Sequence, residues 1–286
     1  MSKVSMKLKE IFYGLGLKPR VKEYSFLLDS FVLPREGEIH YARWQHPKER
    51  RKEFTQAAID SLRGFLQEGD AAIDVGAHTG DSVLPVALAV GAKGCVFALE
   101  PNPYVFKILL ANAALNRKKT NVYPLLFAAA PQDGQLEFEY SDSGFCNGGL
   151  HPGISRWQHA HFFKLRVTCK NLLNYLKAEF PCELQRVRYL KIDTEGFDRS
   201  VAASLRELLV TNRPFIKSEI YRHLPAEERQ GYYADLRELG YQIHKCNSDE
   251  DYVGVRLDQE DMMRWKHFDI FAQPEKTADK AAPLPP

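Results

Sequence analysis

Short, mostly apolar segments alternate with amphipathic ones along most of the chain. Strand candidates of this kind lie at residues 71–75, 94–100, 121–130, 187–193 and 213–220. Helical periodicity is found at residues 47–67, 82–90, 104–116, 199–211 and 225–239. Nearly continuous apolar strands that alternate with helices are typical of a parallel sheet covered on both faces. The pattern therefore predicts an α/β fold.

The C-terminal part and one internal segment depart from this alternation. Residues 241–246 and 267–273 predict the last strands, whose close spacing permits an antiparallel strand at the edge of the sheet. Residues 135–170 hold two strand candidates around a glycine-rich polar loop, which predicts a loop or hairpin insertion. Residues 275–286 are of low complexity and are expected to form a disordered tail.

The N-terminal part is expected to form a small cap. Residues 7–16 predict a short helix, and residues 25–41 alternate apolar with polar positions, as a strand or hairpin would. We interpret residues 1–45 as this cap and residues 46–274 as the main domain. The amphipathic helix of the cap could contact a membrane surface or a second subunit, as in a homodimer. Packing on the main domain is the default interpretation.

Composition excludes several classes of protein. The 286 residues are 44% hydrophobic and 27% charged, which supports a full-sized core and argues against disorder. The net charge of +2 provides no basic excess, so nucleic acid is not an expected partner. The five cysteines form no CxxC pair, which favours a cytoplasmic location. No apolar run approaches the roughly 20 residues that span a bilayer, so no transmembrane segment is expected.

A glycine-containing turn follows the first strand of the predicted sheet. Residues 74–80 read DVGAHTG, and a helix begins directly after them with Asp81. Gly76 can adopt a positive φ and lets the backbone approach a ligand closely. Asp74 suits a ligand with an ammonium or sulfonium charge, such as S-adenosylmethionine, better than a pyrophosphate, which a like charge would repel. The alternative is that the glycine only permits the bend.

Glu100 ends the second strand candidate, at the edge where open α/β sheets bind their ligands. A carboxylate there can accept hydrogen bonds from both hydroxyls of a ribose. Its separation from Asp74 is close to the spacing of about 20 residues in nucleotide-binding units. The turn and the acid together predict a nucleoside-containing cofactor. Because the turn lacks the GxGxxG pattern of NAD sites, a nicotinamide-dependent oxidoreductase is the alternative and not the first choice.

Three motifs, DVGAHTGDS, ALEPNPYVFKILLANAALN and YLKIDTEGFD, resemble in order and spacing the FkbM family of S-adenosylmethionine-dependent methyltransferases. The resemblance covers about residues 70–222. It implies a class I methyltransferase fold, which is Rossmann-like with a mostly parallel seven-stranded sheet in the order 3-2-1-4-5-7-6. His78 stands where the family commonly has asparagine.

The resemblance also implies which residues hold S-adenosylmethionine. Those implied are Asp74, Gly76, His78 and Gly80 for the methionine portion, Glu100 for the ribose, and Pro101, Asn102 and Ala128 near the adenosine. Ala77, Thr79, Asp81 and Asp193 complete the expected cofactor-binding set.

Methyl transfer to a hydroxyl requires a base near the sulfonium, because the acceptor must be aligned and must lose a proton. Asp193 and Glu195 follow a strand candidate at the cofactor edge. We interpret Asp193 as orienting the cofactor or the acceptor. Glu195 is a candidate base if the extended geometry continues to it. The alternatives are an ion pair of Asp193 with Lys191, and a helix-capping role for Glu195 near Asp198.

Two further candidate bases follow the next strand. Glu219 shares a strand face with Lys217, so a structural pair between these two is its alternative. His223 lies in the loop after the strand, and the ordinary histidine pKa of about 6.5 suits proton removal near neutrality. A lone histidine after a strand is more often a simple loop residue.

Two other segments carry candidate chemistry. His151, His159 and His161 could ligate a metal, but an HxH pattern without a flanking third ligand is weak, so no metal is expected. The glycines around residues 141–165 are typical of a lid. The basic run PKERRK at residues 47–52 is typical of a solvated helix start, and it could also attract a phosphate or an anionic saccharide.

The leading hypothesis is an S-adenosylmethionine-dependent O-methyltransferase. The resemblance implies a small-molecule or glycan acceptor, with the methylated hydroxyl on a saccharide, a glycolipid or a secondary metabolite. A nucleic-acid base methyltransferase would be expected to carry an NPPY-like tetrapeptide where this chain reads DTEG, which makes that chemistry the weaker hypothesis. A catalytically silent nucleoside-binding or scaffolding domain is the remaining alternative.

Overall fold

Thirteen strands and eight α-helices make up the part of the chain that the computed structural model describes, residues 20–140, 143–146, 148–149 and 163–275. Two predictions, the helix at residues 7–16 and the tail beyond residue 275, lie outside the described residues, as do His151, His159 and His161. The boundaries of the cap and of the main domain stay predictions. No helix among the described residues is both long and apolar enough to cross a membrane.

The elements are numbered in chain order. The strands are β1 (Phe26–Leu33), β2 (Gly37–Trp44), β3 (Ala71–Val75), β4 (Cys95–Leu99), β5 (Val122–Leu125), β6 (Ala128–Ala129), β7 (Gly134–Tyr140), β8 (Gly148–Gly149), β9 (Phe163–Lys170), β10 (Val187–Ile192), β11 (Phe215–Ile220), β12 (Tyr241–Lys245) and β13 (Phe268–Pro274). The α-helices are α1 (Gln56–Arg63), α2 (Val83–Val90), α3 (Pro103–Ala114), α4 (Leu172–Glu179), α5 (Pro181–Leu184), α6 (Asp198–Ser204), α7 (Arg206–Thr211) and α8 (Ala226–Glu238).

A seven-stranded sheet forms the centre of the fold, in the order β5-β4-β3-β10-β11-β13-β12. All neighbouring strands pair in parallel except β13, which is antiparallel to both β11 and β12. Numbered within this sheet, the order is 3-2-1-4-5-7-6, so the predicted class I methyltransferase topology is confirmed. The carboxyl ends of β3, β4, β10 and β11 therefore meet at one edge.

The predicted helix at residues 47–67 is wrong in its first half. Helix α1 begins after Thr55, whose hydroxyl accepts a hydrogen bond from the N–H of Ala58 at 3.1 Å. A threonine in this N-cap position stabilises the first turn and sets the start of the helix. Residues 47–54 form neither a helix nor a strand.

Two further helical predictions differ from the structure. The helix predicted at residues 199–211 is two short helices, α6 and α7, because the backbone at Leu205 departs from helical geometry (φ −100°, ψ 11°). Helix α4 was not predicted, although Asn171 caps it by accepting a hydrogen bond from the N–H of Asn174 at 3.0 Å.

The apolar run at residues 121–130 divides between two sheets. Its first part is β5 in the central sheet, and Ala128 and Ala129 near its end form β6, which pairs with β9 in a four-stranded sheet of order β6-β9-β7-β8. Strands β7 and β9 are the antiparallel pair predicted on either side of the glycine-rich loop. An uninterrupted apolar run does not reveal where the chain leaves one sheet for another.

The predicted N-terminal hairpin is formed by β1 and β2. Two asparagines, one in the last turn of α3 and one just after the helix, attach the hairpin to the main fold. The side chain of Asn112 exchanges two hydrogen bonds with the backbone of Ala42, at 2.6 and 3.0 Å, and that of Asn116 does the same with His40, at 3.0 and 2.8 Å. The inner residues of β2 share a core cluster with the central sheet, so the hairpin is built into the fold.

Candidate active site

A cleft of about 990 Å³ opens at the carboxyl ends of β3, β4 and β10. The residues that line it at these strand ends are Gly76, His78, Asp81 and Ser82 after β3, Glu100 and Pro101 after β4, Ala128 in β6, and Asp193, Thr194 and Glu195 after β10. Further lining comes from within residues 48–55 and 248–252 and from the second sheet. The cleft therefore lies at the predicted edge of the sheet.

The turn after β3 depends on Gly76. This residue has a φ of 89°, and its N–H and that of Ala77 donate to the carbonyl oxygen of Leu99 at 3.1 and 2.9 Å. A Cβ on Gly76 would overlap the carbonyl oxygen of Asp193. Glycine is therefore needed for the positive φ and for the close approach of the end of β10.

Asp74 lies behind the surface of the cleft and is 2% exposed. One of its oxygens accepts a hydrogen bond from the Ser82 hydroxyl at 2.5 Å, and the other lies 3.3 Å from Nζ of Lys191. Lys191 Nζ also lies 3.2 Å from Asp193, so the ion pair considered as an alternative for Asp193 is present. Asp74 is not among the residues that line the cleft, and its contact with the cofactor stays a prediction.

The charges of this buried group favour a cationic ligand. Burial opposes protonation of Lys191, but the carboxylates of Asp74 and Asp193 raise its pKa well above the ordinary value, so it stays charged. Burial raises the pKa of Asp74, against the effects of Lys191 and Ser82. Two carboxylates and one ammonium leave one net negative charge. A sulfonium or ammonium group in the cleft would be attracted to it.

Glu100 is oriented by the backbone around it. Its carboxylate accepts hydrogen bonds from the N–H of His78 at 3.1 Å and from the N–H of Asn102 at 2.8 Å, one at each oxygen. Burial raises its pKa, while His78 and these two N–H groups act in the opposite direction. Each carboxylate oxygen keeps a second lone pair, so the group can still accept two hydroxyls, as the ribose interpretation requires.

Besides Asp74, four residues expected to hold the cofactor are buried in the walls and do not line the cleft: Ala77, Thr79, Gly80 and Asn102. The Thr79 hydroxyl lies 2.7 Å from the hydroxyl of Tyr41 and links the turn to the hairpin. Asn102 caps α3 and donates to the carbonyl oxygen of Phe145 at 2.8 Å. Their contacts with the cofactor stay predictions.

The turn after β10 brings Glu195 into the cleft by a route that the sequence did not predict. The extended geometry ends at Ile192, and Glu195 has a left-handed backbone with a φ of 56°. Among the described residues, no hydrogen bond or ion pair engages its carboxylate. Burial and then the negative charge of Asp193 raise its pKa, which makes it a stronger base than an ordinary carboxylate. Strained residues of this kind cluster at functional sites.

The capping role considered for Glu195 is not formed, because the N-cap position of α6 is Phe197, without a side-chain cap hydrogen bond, and Asp198 at the start of this helix binds the preceding turn instead. Its carboxylate accepts hydrogen bonds from the Thr194 N–H at 3.2 Å and hydroxyl at 2.7 Å, and from the Ser218 hydroxyl at 3.0 Å. A fourth bond comes from the Glu219 N–H at 3.3 Å. Asp198 is 1% exposed, and burial raises its pKa to about 7. It thereby ties the Glu195 turn to β11.

Glu219 and His223 do not line the cleft. Burial, followed by the charges of Asp193 and Glu195, raises the pKa of Glu219 to about 9, and its carboxylate lies 3.3 Å from Nε2 of His267. His223 is exposed beside the ring of Tyr221. Both stay predictions as bases.

The alternative pairing of Lys217 with Glu219 is wrong. The Lys217 ammonium lies 2.7 Å from Asp249 and 3.3 Å from Asp269. Asp249 belongs to the segment after β12, which lines part of the cleft.

Sequence reasoning missed the segments that complete the cleft. The Thr55 hydroxyl donates to Glu250 at 2.6 Å and joins two segments separated by 195 residues. Lys52 lies 2.9 Å from Glu49 and 2.8 Å from Asp81. In the sequence, only the basic run at residues 47–52, which could attract an anionic ligand, indicated that part of this cleft wall has a functional role. The chain contains no local signal for the contact with Glu250.

One group of described residues has the chemistry of metal ligands. The ligand atoms of Glu49, His78 and Cys146 all lie within 4.8 Å of one another, and Nε2 of His78 is buried without a hydrogen-bond partner among the described residues. The Lys52 ammonium beside Glu49 would compete with a metal ion for that carboxylate. This cluster does not lead us to assign a metal.

Comparison with known proteins identifies related methyltransferases. A family model described as methyltransferase FkbM domain matches residues 74–248. The hexuronic acid methyltransferase AglP of Haloferax volcanii is 26% identical over 198 residues, which is 69% of this chain and 75% of that protein.

Two solved structures are also similar. A methyltransferase FkbM from Methylobacillus flagellatus is 14% identical with a TM-score of 0.41, over 72% of this chain and 44% of that one. A SAM-dependent O-methyltransferase from Thermotoga maritima is 15% identical with a TM-score of 0.41, over 86% and 77% of the two chains.

Proposed function

The chain belongs to the methyltransferase FkbM domain family and is a methyltransferase with S-adenosylmethionine as its cofactor, and on this premise we propose that it methylates a hydroxyl oxygen of a saccharide. The name of the relative AglP, a hexuronic acid methyltransferase, makes hexuronic acids the first acceptors to test. Family membership replaces the alternatives of a nicotinamide-dependent oxidoreductase and of a silent domain. The cytoplasmic location and a homodimer stay predictions.

The residues at the floor of the cleft fit a sulfonium nucleoside. Glu100 faces the cleft with both oxygens oriented by backbone N–H groups, which suits a pair of ribose hydroxyls. The net negative charge of Asp74, Lys191 and Asp193 suits the positive end of the cofactor. When bound, S-adenosylmethionine supplies an electrophilic methyl group.

The observation that carries the proposed chemistry is the state of Glu195. Of the four residues predicted to be catalytic, Glu219 and His223 do not line the cleft, and Asp193 is held by Lys191. Glu195 lines the cleft, and its carboxylate has no hydrogen bond among the described residues. We assign to it the removal of the proton from the acceptor hydroxyl as the oxygen attacks the methyl group.

The neighbours of Glu195 are expected to support this role. Asp193 raises the pKa of Glu195, so that the carboxylate accepts a proton more readily. The pair with Lys191 holds Asp193 in place beside the acceptor. Asp198 holds the turn itself through Thr194. In this arrangement Glu195 reacts, and Asp193 and Asp198 support it.

The experiment that tests the proposal is a transfer assay with methyl-labelled S-adenosylmethionine. Free hexuronic acids, hexuronides, hexosides and glycolipids are offered as acceptors, and the product is identified by NMR. We expect an O-methyl ether on a saccharide. Tight cofactor binding with label transfer only to nitrogen or carbon acceptors would contradict O-methylation. Label transfer only to hydroxyls of compounds without a sugar would contradict the saccharide assignment.

A further inference from the structure

The basic segment at residues 47–52 forms part of the cleft wall, since α1 begins only after Thr55. Lys48, Arg50 and Lys52 line the cleft, whereas Arg51 does not. Arg50 and Arg51 are both exposed. The segment thus presents one arginine to the cleft and the neighbouring one elsewhere.

Three lysines that line the cleft differ from Arg50 in having carboxylate partners. Lys52 is neutralised by Glu49 and Asp81, at 2.9 and 2.8 Å. Lys191 and Lys217 are each within 3.3 Å of two carboxylates. Arg50, in contrast, forms no ion pair with any carboxylate of the described residues. Its positive charge is therefore available to a ligand.

From this difference we infer that Arg50 binds a carboxylate of the acceptor, so that the enzyme prefers an anionic saccharide to a neutral one. This inference rests on the proposed function and names the substrate class for the same site. A guanidinium presents a planar pair of donors that matches the two oxygens of a carboxylate. An arginine at the exposed end of the cleft can make this contact with an acceptor that enters from solvent.

The carboxylates at the strand ends favour the same orientation. Glu100, Asp193 and Glu195 place negative charge near the strand ends. These carboxylates would repel an acceptor carboxylate placed beside them, while Arg50 would attract it. An anionic sugar is thereby oriented with its carboxylate toward Arg50 and its hydroxyls toward Glu195.

S-adenosylmethionine also carries a carboxylate, which Arg50 could bind in place of that of the acceptor. The two sources are distinguished by measuring cofactor affinity separately from acceptor KM. Arg50→Gln removes the charge at an exposed position, and Arg51→Gln is the matched control on the same segment. Calorimetry with S-adenosylmethionine tests the first source. Steady-state kinetics with a hexuronide, and with the hexoside that has a hydroxymethyl group in place of the carboxylate, test the second.

We expect the wild type to use the hexuronide with the higher kcat/KM. Arg50→Gln should raise the KM for the hexuronide about tenfold, an effect limited by solvent screening. It should leave kcat for the hexuronide, and both kcat and KM for the hexoside, unchanged. Arg51→Gln should leave kcat and KM unchanged for both acceptors. Weaker cofactor binding in Arg50→Gln, or an equal loss for both acceptors, would overturn the inference.

The outcomes separate this inference from the proposed function. If the wild type methylates the hexoside as well as the hexuronide, O-methylation of saccharides stands and the preference for an anionic acceptor is wrong. If it methylates hydroxyls only of compounds without a sugar, both proposals are wrong.

Discussion

The turns after β3 and after β10 meet at one cleft but differ in the partners of their carboxylates. In the first, Gly76 and His78 have positive φ values of 89° and 46°, and the oxygens of Asp74 and Glu100 all have partners. In the second, Glu195 adopts a left-handed backbone that costs a residue with a side chain roughly 1–3 kcal/mol, and its carboxylate has no described partner. The turn whose carboxylates all have partners suits binding, and the turn with an unpartnered carboxylate suits reaction.

The largest effect is expected from filling the space beside Gly76. Gly76→Ala combines a strained φ with overlap on the Asp193 carbonyl, so the free energy of unfolding should fall by at least about 3 kcal/mol. Gly69→Ala is the matched control, because Gly69 has a φ of 94° with nothing within 4 Å of the new Cβ. It should cost about 1 kcal/mol. Equal losses in urea unfolding would show that the close approach has no importance.

Removing the charge of Glu195 tests the reactive turn. Glu195→Gln should lower kcat by about 100-fold, because the base is lost, and should leave the affinity for S-adenosylmethionine within about twofold. The wild-type rate should also fall on acidification, at a higher pH than for an ordinary carboxylate, since the pKa of Glu195 is raised. Glu53→Gln changes an exposed carboxylate of the same cleft and should retain activity. Unchanged turnover in Glu195→Gln would assign the base elsewhere.

The binding turn is tested through Glu100. Glu100→Gln removes one acceptor oxygen and places an amide group against a backbone N–H, so the Kd for S-adenosylmethionine should rise about tenfold. Calorimetry on this variant and on Glu195→Gln compares the two turns directly. If both variants lose affinity equally, binding and catalysis are not divided between the turns as described.

The last prediction concerns the pH dependence of stability through Asp198. Its pKa is raised from 3.8 to about 7 on folding, so between these values the folded state holds a proton that the unfolded state has lost. This contribution is fully present below about pH 4 and is lost as the pH rises toward 7, with a slope of about 1 kcal/mol per pH unit. Asp198→Asn should remove that slope in urea unfolding at pH 5, 6 and 7. Parallel curves for both proteins would contradict the raised pKa.

The strands and the cofactor edge could be predicted from the sequence, because both depend on local patterns. Strand β3 is apolar except for Asp74, and the acid at the end of β4 follows one helix later. Parallel pairing then brings Glu100 beside the turn that holds Gly76.

The geometry of the turn after β10 could not be predicted from the sequence in the same way. Alternation along β10 accounts for Lys191 and Asp193 on one side, but the strand ends before Glu195, whose position depends on a left-handed backbone. The bonds from Asp198 to Thr194 and Ser218 join two neighbouring strands. Such contacts arise from tertiary structure, which outweighs local preference.

The hydrogen bond between Thr55 and Glu250 has a consequence for synthesis of the chain on the ribosome. The turn after β3, Glu100 and Ala128 are made early and close together, whereas this wall of the cleft closes only when residue 250 has emerged. Contacts of such long sequence separation are slow to form, and N-terminal segments fold first during translation. The residues of the cleft at the ends of β3 and β4 are therefore synthesised well before the wall that completes the cleft.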